Sequence, residues 1–392
     1  MSAVLKEELT PRLPFPLRLS PAHRTCDRCI MDTSDPEIQF DAKGECNHCR
    51  DYDSRASKEL FVGTERELRL KKMVDQIKKE GRGRDYDCII GVSGGVDSTM
   101  VAYHMKQLGL RSLAVHLDNG WNSELAVCNI KQTLDTLGID LLTHVIDWDE
   151  FRDLQLSFLK ASVPNCEIPT DHAINALMIN TAMKTGTRFI LNGSNLATEA
   201  IMPLAWGYHN QDLKHVRAIH RRFGSVPLKT FPTLSLSRFV WAIMVRGIKL
   251  VPILNYLNYN KSEAKTLIQS ELGWRDYGGK HFESIYTRFF QGYILPRKFG
   301  YDKRRAHLST LIASGQMTRG EALREMQQDA YGGNDLEQDR QFVIKKFGLT
   351  EGEFEDIMNA PAKRHTEYPS NYFIYEELKS LKKIFKRIAT RV

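Results

Sequence analysis

Tyr86-Asp87-Cys88-Ile89-Ile90-Gly91-Val92-Ser93-Gly94-Gly95-Val96-Asp97-Ser98-Thr99 decides the architecture of this chain. The apolar run reads as a short buried strand, and a helical pattern follows from Val96 through Leu108. The turn between them carries glycines, hydroxyls and a carboxylate. Such a turn lets backbone N–H groups and the helix N-terminus converge on phosphate oxygens. Gly94 and Gly95 permit the close approach that a Cβ would block. No Gly-Lys-Ser/Thr closes the loop, so it is not a Walker A sequence.

Working outward, Ser112-Leu113-Ala114-Val115-His116-Leu117-Asp118 is a second buried strand that ends in a carboxylate. Helical periodicity over 124–137 and 150–161 alternates with strands at 141–146 and 188–192. This alternation predicts an α/β fold with a doubly wound parallel sheet and helices on both faces. Ligands bind such sheets at the carboxyl ends of the strands. Ser93, Asp118, Asn119 and residues 192–195 fall there. Asp118 reads either as a site residue or as a turn-capping carboxylate.

The Ser-Gly-Gly-Val-Asp-Ser sequence resembles the pyrophosphate loop of the N-type ATP pyrophosphatases, the PP-loop superfamily. That resemblance implies ATP cleavage to AMP and pyrophosphate, with ATP held by Ser93, Gly94, Gly95, Val96, Asp97, Ser98 and Thr99, and by Asp118 near the adenosine. The turn Gly193-Ser194-Asn195-Leu196-Ala197-Thr198-Glu199 is similar to the superfamily's second signature. It implies nucleotide contacts from Gly193 and Asn195, and Mg²⁺ on Asp97 and Glu199, whose carboxylates suit that ion.

Four of the seven cysteines form two knuckles, Cys26-Asp27-Arg28-Cys29 and Cys46-Asn47-His48-Cys49. Their spacing predicts a structural Zn²⁺ ribbon, with an iron–sulfur cluster as the rival and His48 as a bystander. Residues 37–44 suggest a small hairpin carrying the second knuckle. Residues 53–79 read as one connector helix. Domain limits are expected at 1–52 for the arm and ribbon, 53–85 for the connector, 86–235 for the PP-loop domain and 236–392 for a largely helical substrate region.

At 392 residues and 42% hydrophobic content the chain suits two or three ordered units, and a net charge of +7 suits phosphorylated ligands without choosing among them. Prolines 11, 14, 16 and 21 leave no signal-peptide core, and the most apolar stretch, 239–257, is interrupted by Arg246, Lys249 and Pro252. A cytoplasmic protein is expected.

Pro169-Thr170-Asp171-His172 precedes an expected helix at 173–184; Asp171 and His172 are candidate substrate contacts, though Thr170 or Asp171 could equally cap that helix. Residues 278–319 interleave cations with aromatics and glycines. Aromatics stack on rings while Arg and Lys neutralise phosphate, which makes Lys280, Arg288 and Lys298 substrate-binding candidates. Lys303 and Arg304 are suited to the departing pyrophosphate, and His281 or Glu283 to general-base work. The tail, 371–392, has an apolar helical stripe that suits packing on the core or a dimer mate better than an anionic membrane surface.

Taken together and in order, the cysteine ribbon, the SGGVDST loop, the PTDHA segment, the LNGSN turn and the block from Gly278 to Arg319 resemble the N-acetyl sugar amidotransferase family, WbpG- and PseA-like. The resemblance implies conversion of an N-acetyl group on a sugar, nucleotide-linked in expectation, to an acetamidino group in surface-glycan (lipopolysaccharide, O-antigen) biosynthesis. Residue 2 is Ser2 and no cysteine sits in a glutaminase-like context. A separate glutaminase subunit is therefore expected, and the family resemblance implies that a cyclase-like subunit could accompany it to conduct ammonia. No nucleic-acid partner is expected. The alternative is a PP-loop tRNA thiolase, for which Cys166 is the sole sulfur-carrier candidate.

Overall fold

The computed structural model describes residues 23–279, 282–331, 335–375 and 377. Expectations for the N-terminal arm, Lys280, His281 and residues 378–392 lie outside the described residues. The strands are β1 (Cys88–Gly91), β2 (Ser112–Asp118), β3 (Asp140–Val145), β4 (Phe189–Asn192) and β5 (Lys249–Pro252), and they form one sheet in the order β3-β2-β1-β4-β5. Every pairing is parallel, with Ile89 opposite Leu113 on one side and Ile190 on the other.

Side chains on a strand alternate between faces, and the core follows that period. Ile89, Leu113, Val115 and Ile190 pack on Ala176 and Ile179 of the helix Ile168–Thr185. Ile90, Ala114 and Leu191 pack on the opposite face against Val101, Met105, Ile130 and Leu134. Those residues belong to the helices Val96–Gln107 and Glu124–Leu137. The latter starts at Ser123, whose side chain accepts from Ala126 N, and stops at Gly138, whose φ of +61° turns the chain into β3. The doubly wound α/β sheet read from the sequence is therefore present.

Several boundaries differ from expectation. β5 lies beyond residue 235, so the sheet extends past the expected limit of the PP-loop domain. The connector is two helices, Asn47–Glu59 and Gly63–Glu80. The break leaves Phe61 extended towards the Tyr256 ring, 5.9 Å away, with the Arg69 guanidinium 4.0 Å over its face. The hairpin expected in the ribbon reduces to one antiparallel bridge, Phe40 with Cys46. The helix expected from 173 begins at Ile168, because Pro169 is well placed in a first turn. Beyond β5 the chain is helical, including Lys261–Leu272, Ile285–Phe289, a π-helical stretch Phe290–Phe299, Lys303–Ala313 and Glu351–Asn359.

Candidate active site

The sheet order reverses between β1 and β4, and a crevice opens beyond the carboxyl ends of those two strands. The loop after β1 folds on itself: Gly95 N donates to Ser93 Oγ at 3.3 Å, Ser93 N to Ser98 Oγ at 3.2 Å, and Ser98 Oγ to Gly95 O at 3.1 Å. Gly94 sits at φ +81°, where a Cβ would fall 2.8 Å from Tyr277 Oη and 2.9 Å from Ala126 O. Its carbonyl accepts from Trp274 Nε1 at 2.7 Å and from Tyr277 Oη at 2.8 Å. Neither aromatic was singled out from the sequence. Only the tertiary fold brings the chain after Lys261–Leu272 onto the loop.

The turn after β4 meets the same loop. A Cβ on Gly193 would stand 3.1 Å from the Asp97 carbonyl carbon and 3.2 Å from its Cβ, so glycine eases the close approach of this turn to the start of the helix Val96–Gln107. Asp97 and Glu199 both line the resulting cavity. Both also act electrostatically on Tyr259, whose hydroxyl donates to Asp97 Oδ1 and is raised in pKa by burial and then by those carboxylates. Two carboxylates converging beside a phosphate loop form an oxygen donor set that fits Mg²⁺. Asn195 shapes this turn: it accepts from Thr198 N at 2.8 Å and donates to Gly193 O at 3.0 Å.

The cavity is about 740 Å³. Ser93, Gly95, Val96, Asp97 and Ser98 form one wall, and Glu283, Arg288, Lys303 and Arg304 of the late block form another. Glu283 lies directly over the loop, its Oε1 3.4 Å from where a Gly95 Cβ would be. Arg288 is held by Asp339 through two 2.7 Å bonds, with its guanidinium 5.1 Å from the Phe282 ring centre. Arg304 is braced by Asp302 at 2.7 Å and by Gln328 O at 2.7 Å.

Other expected site residues serve the fold. Lys298 is buried, and its Nζ donates to the carbonyls of Ile357, Met358 and Ala360 at the end of Glu351–Asn359. Burial lowers its pKa to about 8. His172 is fully buried, bonded through Nδ1 to Asn210 O and through Nε2 to Leu234 N, and burial lowers its pKa to about 4. Neither can reach a substrate. Thr99 is buried in its helix with its N–H on Gly95 O, away from the cavity wall. Asp118 Oδ1 accepts from Gly120 N at 2.9 Å and Asn122 Nδ2 at 3.3 Å, which is the turn-capping alternative. Asp171 lies in the first turn of Ile168–Thr185, beyond the N-cap position. Cys166 is buried with its thiol on Val163 O at 3.3 Å, and burial pushes its pKa well up. That environment opposes thiolate chemistry.

The N-terminal quartet assembles. Cys26–Cys49, Cys29–Cys46 and Cys46–Cys49 sulfur pairs are 3.9, 3.6 and 3.7 Å apart. A tetrahedron of sulfurs about 2.3 Å from a zinc ion has edges of roughly 3.8 Å. An iron–sulfur cluster would have to fit several irons and sulfides between sulfurs that nearly touch, so the spacing favours a single ion. Backbone N–H groups of Cys29, Cys46 and Met31 point at the sulfurs, an arrangement that stabilises thiolates. His48 instead bonds Asp35 at 2.7 Å. The ribbon docks on the C-terminal helices: Arg319 donates to the carbonyls of Cys26 and Cys29, and Arg305 to Ile30 O and Asp32.

The sheet is wholly parallel, with the Ser-Gly-Gly-Val-Asp-Ser loop at its switch point, a four-cysteine ribbon ahead of it and a helical region after it. Residues 283–382 match the family described as "LPS biosynthesis protein WbpG-like, C-terminal domain". The resemblance read from the late block thus holds, and the chain carries a WbpG-like C-terminal domain. No curated protein matches the chain. Among solved structures it is similar to the NMN synthetase of Francisella tularensis, at 12% identity over 52% of this chain and 86% of that one, TM-score 0.28. It is also similar to the NH3-dependent NAD synthetase of Campylobacter jejuni subsp. jejuni, at 14% identity over 53% and 94%, TM-score 0.28. A third is a predicted subunit of tRNA methyltransferase from Methanocaldococcus jannaschii, at 15% identity over 46% and 74%, TM-score 0.27. Likenesses this distant carry no argument about function.

Proposed function

We propose that this protein is an AMP- and pyrophosphate-forming N-acetyl sugar amidotransferase. The observation that carries the reading is the shared cavity, in which the phosphate loop and the WbpG-like block face each other with Asp97, Glu199, Glu283 and Lys303 on its walls. An amide oxygen is a poor leaving group and must be activated. The amide oxygen of the N-acetyl group attacks the α-phosphorus of ATP, pyrophosphate departs, and the amide N–H proton is lost, leaving an adenylylated imidate. Ammonia then displaces AMP to give the acetamidino group. Loop N–H groups stabilise charge on the phosphates, and Lys303 and Arg304 neutralise the departing pyrophosphate. Asp97 and Glu199 would hold Mg²⁺, which neutralises phosphate charge when bound. The cysteine quartet would hold Zn²⁺ structurally, since four thiolates leave no open coordination position.

Ammonia comes, in this reading, from a separate glutaminase subunit with a cyclase-like conduit, and the reaction takes place in the cytoplasm on a nucleotide-linked sugar of surface-glycan biosynthesis. No helix among the described residues is long and apolar enough to cross a membrane. The thiolase alternative loses its support with the burial of Cys166.

The test is mass spectrometry of reactions containing the purified protein, Mg²⁺-ATP, ammonium and a panel of N-acetylated sugar nucleotides. Replacement of one oxygen by NH with matching AMP is expected. AMP without any sugar change would overturn the substrate assignment, and absence of AMP would overturn the ATP chemistry. Glutamine supporting the reaction with this chain alone would overturn the separate glutaminase.

A further inference from the structure

We propose that the surface formed by the helices Leu213–Phe223 and Leu236–Met244 docks this protein on an anionic lipid bilayer; the inference stands apart from the amidotransferase reading. The fifty residues from Leu213 to Ser262 hold nine Lys or Arg and no Asp or Glu, in a chain with 48 acids among its 392 residues. Helical spacing sets Lys214, Arg217 and Arg221 on the exposed side of Leu213–Phe223, opposite the buried Val216 and Ile219. These three cations line a cavity of about 360 Å³ together with Ser235, Leu236 and Asn371, and none of its lining residues is acidic. Ser235 caps the second helix by accepting from Arg238 N, so the positive end of that helix adjoins the three cations.

The second helix is apolar on both sides. Phe239, Ala242 and Ile243 pack into the core beside Ile179 and Ile248. Val240, Trp241, Met244 and the following Val245 face the other way, with 39, 44, 77 and 68% of their surfaces exposed. A helix that buries one face in a core ordinarily turns polar groups to water on the other. Here Arg238 and Arg246 flank the stripe instead, and the Arg246 guanidinium lies 5.6 Å from the Trp241 ring centre. Apolar side chains of such a helix enter the boundary between headgroups and acyl chains, Trp settles at that boundary, and Arg and Lys reach the phosphates.

Charge decides the occupant. A second copy of the chain would bring the same basic face against itself. Residues 378–392 carry lysines and arginines with no acid, so the face repels them as well. The centre of a protein interface is depleted in charge, which a cavity lined by three cations does not match. An anionic bilayer is complementary throughout, with phosphates for the cationic cavity and an apolar interior for the stripe. Each Lys or Arg held near such a surface raises partitioning roughly five-fold.

The experiment is cosedimentation of the full chain with vesicles of phosphatidylcholine alone, and of phosphatidylcholine and phosphatidylglycerol in equal parts. Binding is expected to the anionic vesicles only, and to weaken as salt shortens the Debye length from about 10 Å to about 3 Å. The combined variant Lys214→Gln, Arg217→Gln, Arg221→Gln should lower partitioning on the order of 10²-fold. Trp241→Ser with Met244→Ser should lower it on the order of 10-fold. All five side chains are exposed, so circular dichroism and thermal unfolding should match wild type. Met244→Glu alone, at the most exposed position of the stripe, decides the matter if a multiple variant does not fold, since it too should weaken binding. No binding to anionic vesicles would overturn the proposal, and so would binding that these variants retain, which would place the contact elsewhere on the chain. Self-association of the wild type that Trp241→Ser with Met244→Ser abolishes, without vesicle binding, would give the face to a second copy. An acidic protein retained by the wild type and not by the variants, again without vesicle binding, would give it to a protein partner. Either result would overturn the lipid assignment.

Discussion

Gly94→Ala tests whether the phosphate loop is shaped by the chain that follows the fifth strand. A non-glycine residue at φ +81° costs about 1–2 kcal/mol. The added Cβ would also lie 2.8 Å from Tyr277 Oη, 2.9 Å from Ala126 O and 3.3 Å from Ile130 Cγ1. Ala126 O belongs to the backbone of Glu124–Leu137 and cannot swing aside, so the loop itself must shift. The Gly94 carbonyl then loses bonds from Trp274 and Tyr277, each contributing about 0.5–1.5 kcal/mol. The summed destabilisation is about 2–5 kcal/mol, read by urea unfolding. A loop displaced by about an ångström also costs on the order of 10²-fold in ATP-dependent AMP formation. Tyr277→Phe removes the hydroxyl contact but leaves Ala126 O, so in a double-mutant cycle Gly94→Ala should cost less on that background without becoming neutral. A Gly94→Ala protein within about 0.5 kcal/mol of wild type and with normal AMP formation would refute the clamp.

Other expectations follow from single groups. Asp97→Ala should cut AMP formation on the order of 10²–10³-fold through loss of charge stabilisation at the phosphates, and near-normal turnover would contradict its placement. Elemental analysis should find zinc in the protein, and Cys46→Ser should lose the metal and unfold the ribbon; iron accompanied by acid-labile sulfide would contradict the single-ion geometry. Glu167 has its pKa raised from 4.5 to about 7 by burial, so the folded chain binds an extra proton between those values. Its stabilising contribution is present below about 4.5 and lost as pH rises through about 7. Glu167→Gln should therefore gain stability over wild type by about 1–2 kcal/mol between acid and mildly alkaline pH, the residue's partial exposure trimming the full linkage value. A pH-independent difference would contradict the burial. Cys166→Ala should leave sugar amidation intact while lowering stability by about 1 kcal/mol, and loss of turnover in a folded variant would contradict the purely structural placement of its thiol.

The elements legible from sequence are those whose signals are local. The second strand and the helix Glu124–Leu137 fall where periodicity places them, because Ser123 and Gly138 bound the helix by capping chemistry that any context preserves. β5 was illegible: Lys249-Leu250-Val251-Pro252 is short and carries a lysine and a proline. It becomes a strand through its register with β4 and the Lys249–Glu80 pair at 2.9 Å. Proline is tolerated there because β5 is an edge strand. The late block misled in a specific way. Lys298 shares the cationic and aromatic setting of Arg288 and Lys303, yet its ammonium caps the carbonyl end of a helix more than fifty residues on. Sequence reports which groups bear charge, and only the fold reports which of them are already engaged.

That distinction bears on how the two halves of the site work together. Trp274 and Tyr277 grip the Gly94 carbonyl, Tyr259 binds Asp97, and Glu283 stands over Gly95. All four come from beyond β5. The C-terminal region is therefore in contact with the Ser93–Asp97 loop as well as lining the cavity beside it. A loop whose Gly94 carbonyl is bound by that region has less freedom to rearrange when phosphates arrive, which is the preorganisation that electrostatic catalysis needs. In the proposed reaction it would also join ATP and sugar binding mechanically. A substrate that moves the segment around Glu283 moves a group in contact with the phosphate loop, so the two sites are expected to influence each other's affinity reciprocally.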